Sequence, residues 1–117
     1  MSKESSIKPF SEQLAALPAA EHVQKIELIA LDGETTAVIE NKPGSQGSIK
    51  VYHHLYKKYG EISVEAANEG LGIYAEHTED AKLNAGKHPN IDRLLALIEN
   101  NSSLAVKLYD HAGLLRA

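Results

Sequence analysis

The residues best suited to chemistry are the histidines and carboxylates just after the middle of the chain. The chain has six histidines and no cysteine, so a metal or acid–base site would have to use imidazole and carboxylate groups. Side chains three or four positions apart on a helix share one side, which groups Asp80 with both His77 and Glu76. A turn at Gly86 could fold a further histidine back towards them. The candidate ligands of a small metal or enzyme site are therefore His77, Glu76, Asp80, His88 and, from another element, His53.

The end of this stretch also has a structural interpretation, as a joint between two helices. Pro89 prevents the preceding helix from continuing, and Asn90 is a strong N-cap for the next one. Asp92 complements the positive end of that next helix. His77 is different, because it shares a helical stripe with Gly70, whose missing side chain leaves a hollow where a histidine could bind. We favour a histidine at the edge of the core that is bonded to the backbone, with a binding role as the alternative.

The loop KPGSQGSIK contains groups that are suited to holding an anion. Backbone amides at a helix start bind anions, and serine and lysine side chains can add to them. Gly44 and Gly47 are too close together for the nucleotide-binding pattern G-x-x-x-x-G-K-[ST]. A strand-to-helix loop with a serine cap is therefore the favoured interpretation. The candidate anion-binding residues are Lys42, Ser45, Gly47 and Ser48.

Composition and charge argue against several classes of function. The net charge is −4, and the 12 basic and 16 acidic residues are interspersed, which disfavours nucleic acid as a partner. The chain has neither a cysteine nor a G-x-S-x-G motif, so no nucleophile stands out, and we expect no cofactor. No apolar run approaches the roughly 18 residues of a membrane span, and the N-terminus lacks the features of a signal peptide. We expect a soluble cytoplasmic protein with no membrane partner.

Hydrophobic periodicity predicts the elements that position these residues. A short first helix would be capped by Ser11 and would end before Pro18. The β-rich runs on both sides of Asp32 and Gly33 predict a hairpin with a type I′ turn, in which Gly33 has a positive φ. The resulting register places three pairs opposite each other: Ile26 and Ile39, Leu28 and Ala37, and Leu31 and Glu34.

Three helices and a third strand are predicted after the hairpin. Gly60 would end the first of these helices, and Ser63 would cap the second. Glycines weaken the second helix, which is most simply compensated by a close approach of a neighbouring element at Gly70. The predicted elements are helices over about 48–59, about 63–83 and from 90 onwards, and a strand over 104–109.

This order of elements predicts an α+β fold. A β-hairpin and a C-terminal third strand would form a small sheet in the order 2-1-3, with three intervening helices packed on one face and a short N-terminal helix. We treat residues 1–117 as a single domain, with a core over 24–109 and a flexible start over 1–10. Three apolar residues on the other sheet face have no evident helix to cover them: Ile29, Leu31 and Val38.

Two long stretches, IENKPGSQGSIKVYHHL and GLGIYAEHTEDAKLNAGKHPNIDRLL, resemble a family of small bacterial proteins labelled domain of unknown function 2322. The resemblance covers roughly Glu12 to Tyr109. It implies a small cytosolic bacterial protein and brings no activity, cofactor or catalytic residue with it.

The function that we favour from the sequence is a non-enzymatic binding or interaction module that self-associates. An exposed apolar sheet face usually marks a partner surface, and a homo-oligomer is the simplest partner. The alternative is a small metal-binding protein or enzyme with a His/carboxylate site around His77 and His88. That alternative requires at least three of the candidate side chains to converge on one pocket.

Overall fold

The computed structural model describes residues 9–114. In chain order the elements are α1 (Phe10–Ala16), β1 (Lys25–Ile29), β2 (Thr35–Glu40), α2 (Gln46–Tyr59), α3 (Val64–Tyr74), α4 (Glu76–Leu83), α5 (Pro89–Glu99), β3 (Ala105–Asp110) and β4 (Gly113–Leu114). They confirm the predicted α+β class, although four helices rather than three lie between β2 and β3. Within residues 9–114, no helix is long and apolar enough to cross a membrane. The flexible start that was predicted falls mainly on residues 1–8, outside the described range.

The strands form one antiparallel sheet in the order β2-β1-β3-β4, which confirms the predicted order of the first three. The predicted pairs Ile26 with Ile39 and Leu28 with Ala37 are also confirmed. Side chains alternate between the two faces of a strand, so these pairs share one face with Leu108 of β3. That face is buried. The short β4 pairs with the end of β3.

The hairpin turn differs from the predicted type I′ geometry. Gly33 has the expected positive φ, of 91°, but Asp32 is not among the described non-glycine residues with positive φ, as a type I′ turn would require. Ala30 N–H donates to Glu34 O at 2.8 Å, and Gly33 N–H donates to Ala30 O at 2.9 Å. These bonds enclose a three-residue loop with glycine at its left-handed position, the other common solution for an Asp-Gly sequence.

The long helix predicted over about 63–83 is two helices, α3 and α4, separated at Ala75. Ala75 has φ 53° and ψ −117°, which lies outside the helical region and is unfavourable for any residue with a Cβ. The Thr78 hydroxyl donates to Leu71 O at 2.6 Å and ties the start of α4 to the end of α3. Because Ala75 leaves the helical conformation, α4 does not continue the direction of α3.

Of three predicted helix ends, two follow the local rules and one does not. Ser63 caps α3, accepting a hydrogen bond from Ala66 N–H at 3.1 Å, and Gly60 ends α2 with φ 80°. Ser11 is not a cap, because α1 already starts at Phe10 and its N-cap position is occupied by Pro9. The capping rule therefore holds at Ser63 and fails at Ser11.

Asn90 was also predicted to be an N-cap, and the structure places it inside α5 instead. The helix begins one residue earlier, at Pro89, whose fixed φ suits the first helical position. His88 is therefore the N-cap residue, although its side chain makes no capping bond. The Asn90 side chain accepts a hydrogen bond from Arg93 at 2.8 Å.

The core lies between the sheet and the helices and is closely packed around Gly70. A Cβ placed at Gly70 would lie 2.8 Å from Cδ1 of Leu94 and 3.0 Å from Cδ1 of Leu55, so the predicted close approach at this glycine is confirmed. The buried core also includes Ala20 and Val23, and thus begins somewhat earlier than the predicted boundary of 24.

Candidate functional site

A cavity of about 420 Å³ lies where α1, the start of α2, the end of α3 and the start of α5 meet. It joins parts of the two predicted sites, which are well separated in the sequence. His77 and His88 come from the first set, and Gly47 and Ser48 come from the second. The wall also includes five residues that were not candidates: Phe10, Leu14, Tyr74, Lys87 and Ile91.

The break at Ala75 and the ring of Phe10 together shape one side of the cavity. Tyr74 lies at the end of α3, and His77 lies in the first turn of α4, directly after the break. Phe10 stacks on Tyr74 with ring centroids 5.3 Å apart, and it meets His77 edge-on at 5.2 Å. The N-terminal helix therefore forms a wall of the cavity, which the sequence did not indicate.

Glu76, a candidate ligand, has a different task. Its Oε1 accepts a hydrogen bond from Phe10 N–H at 2.9 Å, and this bond is the main reason why the pKa of Glu76 lies below its ordinary value. Two further hydrogen bonds connect α1 to its neighbours. The Gln13 side chain donates to Gly72 O, and Lys50 Nζ donates to Leu14 O. Glu76 thus helps to hold α1 in place and does not line the cavity.

Asp80 is the centre of a second group, the Asp80 cluster, which consists of Asp80, Asn84, Lys87 and His88. Its carboxylate lies 2.7 Å from His88 Nε2, 3.1 Å from Lys87 Nζ and 2.9 Å from Asn84 Nδ2. The hydrogen bond from His88, followed by that from Lys87, lowers the pKa of Asp80 to about 2. Asp80 does not line the cavity but orients two side chains that do.

The histidines His77 and His88 face each other across part of the cavity, with ring centroids 5.6 Å apart. His77 also lies 3.9 Å from a carboxylate oxygen of Glu76. Two of the five candidate ligands, these histidines, therefore line the cavity, while the two carboxylates bond to other groups. In the part of the chain from 9 to 114, no group of three or more histidine, aspartate or glutamate residues is placed to hold a metal ion.

His53 lies apart from this cavity, on α2. Its side chain is buried, and its ring meets the ring of His22 edge-on at 5.3 Å. Burial lowers the pKa of His53, and the nearby His22 and Lys57 lower it further. No hydrogen-bond partner for its Nδ1 exists among the described residues. A neutral core histidine is the state that this environment favours.

The predicted anion loop reaches the cavity only through its second half. Ser45 occupies the N-cap position of α2, but its hydroxyl donates to the carbonyl oxygens of Glu40 and Lys42 and caps no amide. Lys42 pairs with the Glu40 carboxylate at 2.9 Å. Gly47 and Ser48 lie in the first turn of α2 and line the cavity, whereas Lys42 and Ser45 do not.

Tyr74 and Lys87, which line the cavity, were not predicted from the sequence to have a functional role. Tyr74 is buried, and its hydroxyl lies 2.6 Å from the Ser48 hydroxyl. Burial raises the pKa of Tyr74 above its ordinary value, so the phenol stays neutral. Lys87 also lines the cavity. The signal that could have drawn attention to it is its position beside His88 at a helix joint.

A second histidine–carboxylate pair lies between α2 and α3. Glu69 accepts hydrogen bonds from His54 Nε2 at 2.6 Å, Lys58 Nζ at 2.8 Å and Tyr59 OH at 2.7 Å, and we call these four residues the Glu69 cluster. Burial alone would raise the pKa of Glu69, but the hydrogen bonds outweigh it and lower the pKa to about 2. None of the four residues lines the cavity.

The fold and this cavity define a small α+β protein with a ligand-sized hollow between its helices. The chain belongs to the family described as an uncharacterized protein conserved in bacteria, domain of unknown function 2322, whose model matches residues 10–108. The family resemblance seen in the sequence is thereby confirmed. Comparisons with curated proteins and with solved structures give no match.

Proposed function

We propose that this protein is a non-enzymatic binding module of the bacterial cytoplasm, which holds a small molecule in the cavity between α1, α2, α3 and α5. The observation that carries the proposal is the cavity itself. Its volume of about 420 Å³ is within the range of about 300–1,000 Å³ that is typical of small-molecule sites. The aromatic rings of Phe10 and Tyr74 and a few convergent polar side chains form its wall, which is the usual composition of such sites.

The bonding of the hydroxyl groups supports binding over catalysis. A nucleophilic serine needs a base such as histidine within hydrogen-bond reach. Ser48 Oγ is instead bonded to the hydroxyl of Tyr74, at 2.6 Å. The histidine–carboxylate pair of His88 and Asp80 therefore has no serine to activate on the described wall of the cavity.

Native mass spectrometry of protein purified without a tag tests the proposal. We expect part of the population to carry a small organic molecule, and we expect Gly47→Leu to lose it. A Cβ at Gly47 would lie 3.3 Å from Cζ of Phe10 and 3.4 Å from Cδ2 of Leu14, so a larger side chain there fills the cavity or displaces α1. Gly72→Leu is the matched control, because nothing lies within 4 Å of a Cβ at this exposed helical glycine.

Two other outcomes would speak against a small-molecule binding module. A retained metal ion that is absent from both His77→Gln and His88→Gln would favour the alternative, a small metal-binding protein or enzyme. If the protein retains nothing and no compound of a metabolite library raises its melting temperature, the cavity is not a binding site.

We further propose that the protein self-associates, with a second copy covering the exposed apolar side chains Leu31 and Val38 of the hairpin. Leu31 and Val38 support this, because their exposed fractions are 81% and 47% in residues that are usually buried. On the same sheet face, Glu27 lies opposite Val38 and accepts a hydrogen bond from Tyr109 at 2.9 Å, so this face becomes polar towards β3. Sedimentation across the micromolar range should give a dimer or larger species, and Val38→Lys should shift it to a monomer. A wild-type monomer throughout would exclude this second proposal.

A further inference from the structure

We infer that the cavity takes a small organic anion, a molecule with a carboxylate or phosphate group attached to an apolar body. This inference rests on the proposed function and adds the chemical class of the ligand. Three basic side chains line the cavity, His77, Lys87 and His88, whereas no carboxylate is among the described residues on its wall. A wall with several donors and no carboxylate favours a ligand that supplies a negative charge.

The first turn of α2 adds donors to the same wall. The first intrahelical bond is donated by Ile49 N–H to Ser45 O, at 3.1 Å, so the three preceding amides lack a partner within the helix. The Ser45 hydroxyl does not accept from them, since it donates to carbonyl oxygens. Gly47 in this turn lets the backbone itself form part of the cavity surface. The amides and the positive end of a 14-residue helix complement the basic side chains.

The Asp80 carboxylate holds two of these basic side chains in a fixed orientation. His88 and Lys87 are both held by the Asp80 carboxylate, at 2.7 and 3.1 Å, from outside the cavity wall. Their orientation is therefore set before a ligand arrives, which reduces the entropy lost on binding. Asp80 is a positioning residue and does not touch the ligand.

The remainder of the wall is apolar, which excludes a bare inorganic ion as the best-fitting occupant. Phe10 and Leu14 of α1 and Ile91 of α5 line the cavity together with the ring of Tyr74. A water molecule occupies about 30 Å³ of liquid, so a cavity of about 420 Å³ has the volume of roughly ten or more water molecules. A phosphate ion alone would leave most of this volume unfilled. An anionic group on an aromatic or aliphatic body would use both parts of the wall.

The test measures the binding of four probes to the full-length protein by calorimetry and by thermal shift. Benzoate and phenyl phosphate have the proposed chemistry and separate a carboxylate from a phosphate preference. Benzamide is a neutral molecule of the same shape as benzoate, and inorganic phosphate lacks the apolar body. We expect at least one of the first two probes to bind, and we expect benzamide and inorganic phosphate to bind about tenfold more weakly or not at all.

Matched variants show whether the cavity is responsible. Lys87→Gln should raise the dissociation constant of the bound probe about tenfold, because it removes a charged donor. Lys82→Gln removes the same charge from an exposed lysine that pairs with Glu79 at 3.6 Å and does not line the cavity, and it should have no effect. Gly47→Leu should abolish binding of every probe.

The outcomes separate this inference from the proposed function. If benzamide binds as well as benzoate and Lys87→Gln changes neither affinity, the cavity is a binding site but not for anions. If no probe binds, the charge of the molecule retained in native mass spectrometry decides, and a neutral molecule overturns the inference. If no probe binds and nothing is retained, the inference and the proposed function both fail.

Discussion

The Glu69 cluster and the Asp80 cluster are built from nearly the same groups and lie in different surroundings. Each has a carboxylate bonded to a histidine and a lysine, and in each the pKa of the carboxylate is about 2. The Glu69 cluster joins α2 to α3, and none of its residues lines the cavity. The Asp80 cluster leaves His88 and Lys87 on the wall of a cavity. The chemistry of a histidine–carboxylate pair therefore does not define a site, and the adjacent space does.

The comparison predicts that the Glu69 cluster contributes mainly to stability, whereas the Asp80 cluster contributes mainly to binding. Glu69 is the better shielded carboxylate, with 24% of its side chain exposed, against 35% for Asp80. Hydrogen bonds to a shielded charge contribute more to stability, since water replaces them less well when they are lost.

The largest effect is expected when the Glu69 cluster is broken. Glu69→Ala should lower the free energy of unfolding by about 2 kcal/mol, because three donors lose a charged acceptor while water can reach them only in part. Denaturation in urea measures this. Glu65→Ala, which removes an exposed glutamate from the same helix, should stay within about 0.5 kcal/mol of the wild type. A loss of similar size in both variants would show that the cluster has no special role.

The free energy of unfolding should also depend on the Glu69 cluster when the pH is lowered. A carboxylate whose folded pKa is lowered contributes stability that is present above its unfolded pKa and is lost as the pH falls through the folded pKa. The pKa of Glu69 falls from 4.5 to about 2 and that of Asp80 from 3.8 to about 2. The contribution of these two carboxylates to the free energy of unfolding should therefore be constant above about pH 5 and fall between about pH 4.5 and 2. Glu69→Gln should flatten this curve more than Asp80→Asn, and the reverse order would contradict the comparison.

Substituting the histidine of each cluster by asparagine tests the comparison directly. His54→Asn should cost about 1 kcal/mol of stability, through the lost hydrogen bond to Glu69, and should leave probe binding unchanged. His88→Asn should weaken binding of the anionic probe about tenfold, with a smaller loss of stability, because asparagine is favoured at the N-cap position that His88 occupies in α5. Calorimetry and urea denaturation of both variants provide the four values. Equal effects of the two substitutions on binding would remove the distinction.

The sheet and part of the site could be predicted because the signals are local. Alternation of apolar residues and the Asp-Gly turn set the pairing of Ile26 with Ile39. The predicted order of the first three strands is correct, although four helices rather than three precede the last of them. His77 and His88 were singled out because imidazoles near a turn are chemically conspicuous. The turn type was wrong because Asp-Gly suits both a two-residue type I′ loop and a three-residue loop with glycine at its left-handed position, and the chain forms the second.

The rest could not be predicted because it depends on contacts between distant segments. The helix break falls at Ala75, and alanine is the strongest helix former, so propensity argues for a continuous helix. Phe10 reaches Tyr74 across 64 positions of sequence, and Ser48 meets the same tyrosine from another helix. No local rule joins the two predicted sites, and only the packing of α1 against α2 and α3 shows that they share one cavity.

At the strained residue Ala75, next to the cavity, a substitution is expected to raise the free energy of unfolding. Ala75→Gly should raise the free energy of unfolding by about 1 kcal/mol, because glycine adopts φ 53° and ψ −117° without the clash of a Cβ. Ala96→Gly, at an exposed position inside α5, should lower it by about 1 kcal/mol, since its backbone is ordinary helix. Urea denaturation distinguishes the two signs. If both variants are destabilised alike, Ala75 is not strained.

The smallest effect is expected at His77, and it decides whether the cavity is a metal site. His77→Gln should lower stability by about 0.5–1 kcal/mol, because the edge-on contact with Phe10 at 5.2 Å is lost while glutamine keeps some hydrogen bonding. Zinc bound only by the folded state would stabilise the protein by RT ln(1 + [L]/Kd), so a zinc site would raise the melting temperature of the wild type. We expect no such rise, since the carboxylate nearest His88 already bonds to a histidine, a lysine and an asparagine. A zinc-dependent rise that is lost in both His77→Gln and His88→Gln would prove this expectation wrong. It would also place a metal ion, rather than an organic anion, between the two histidines.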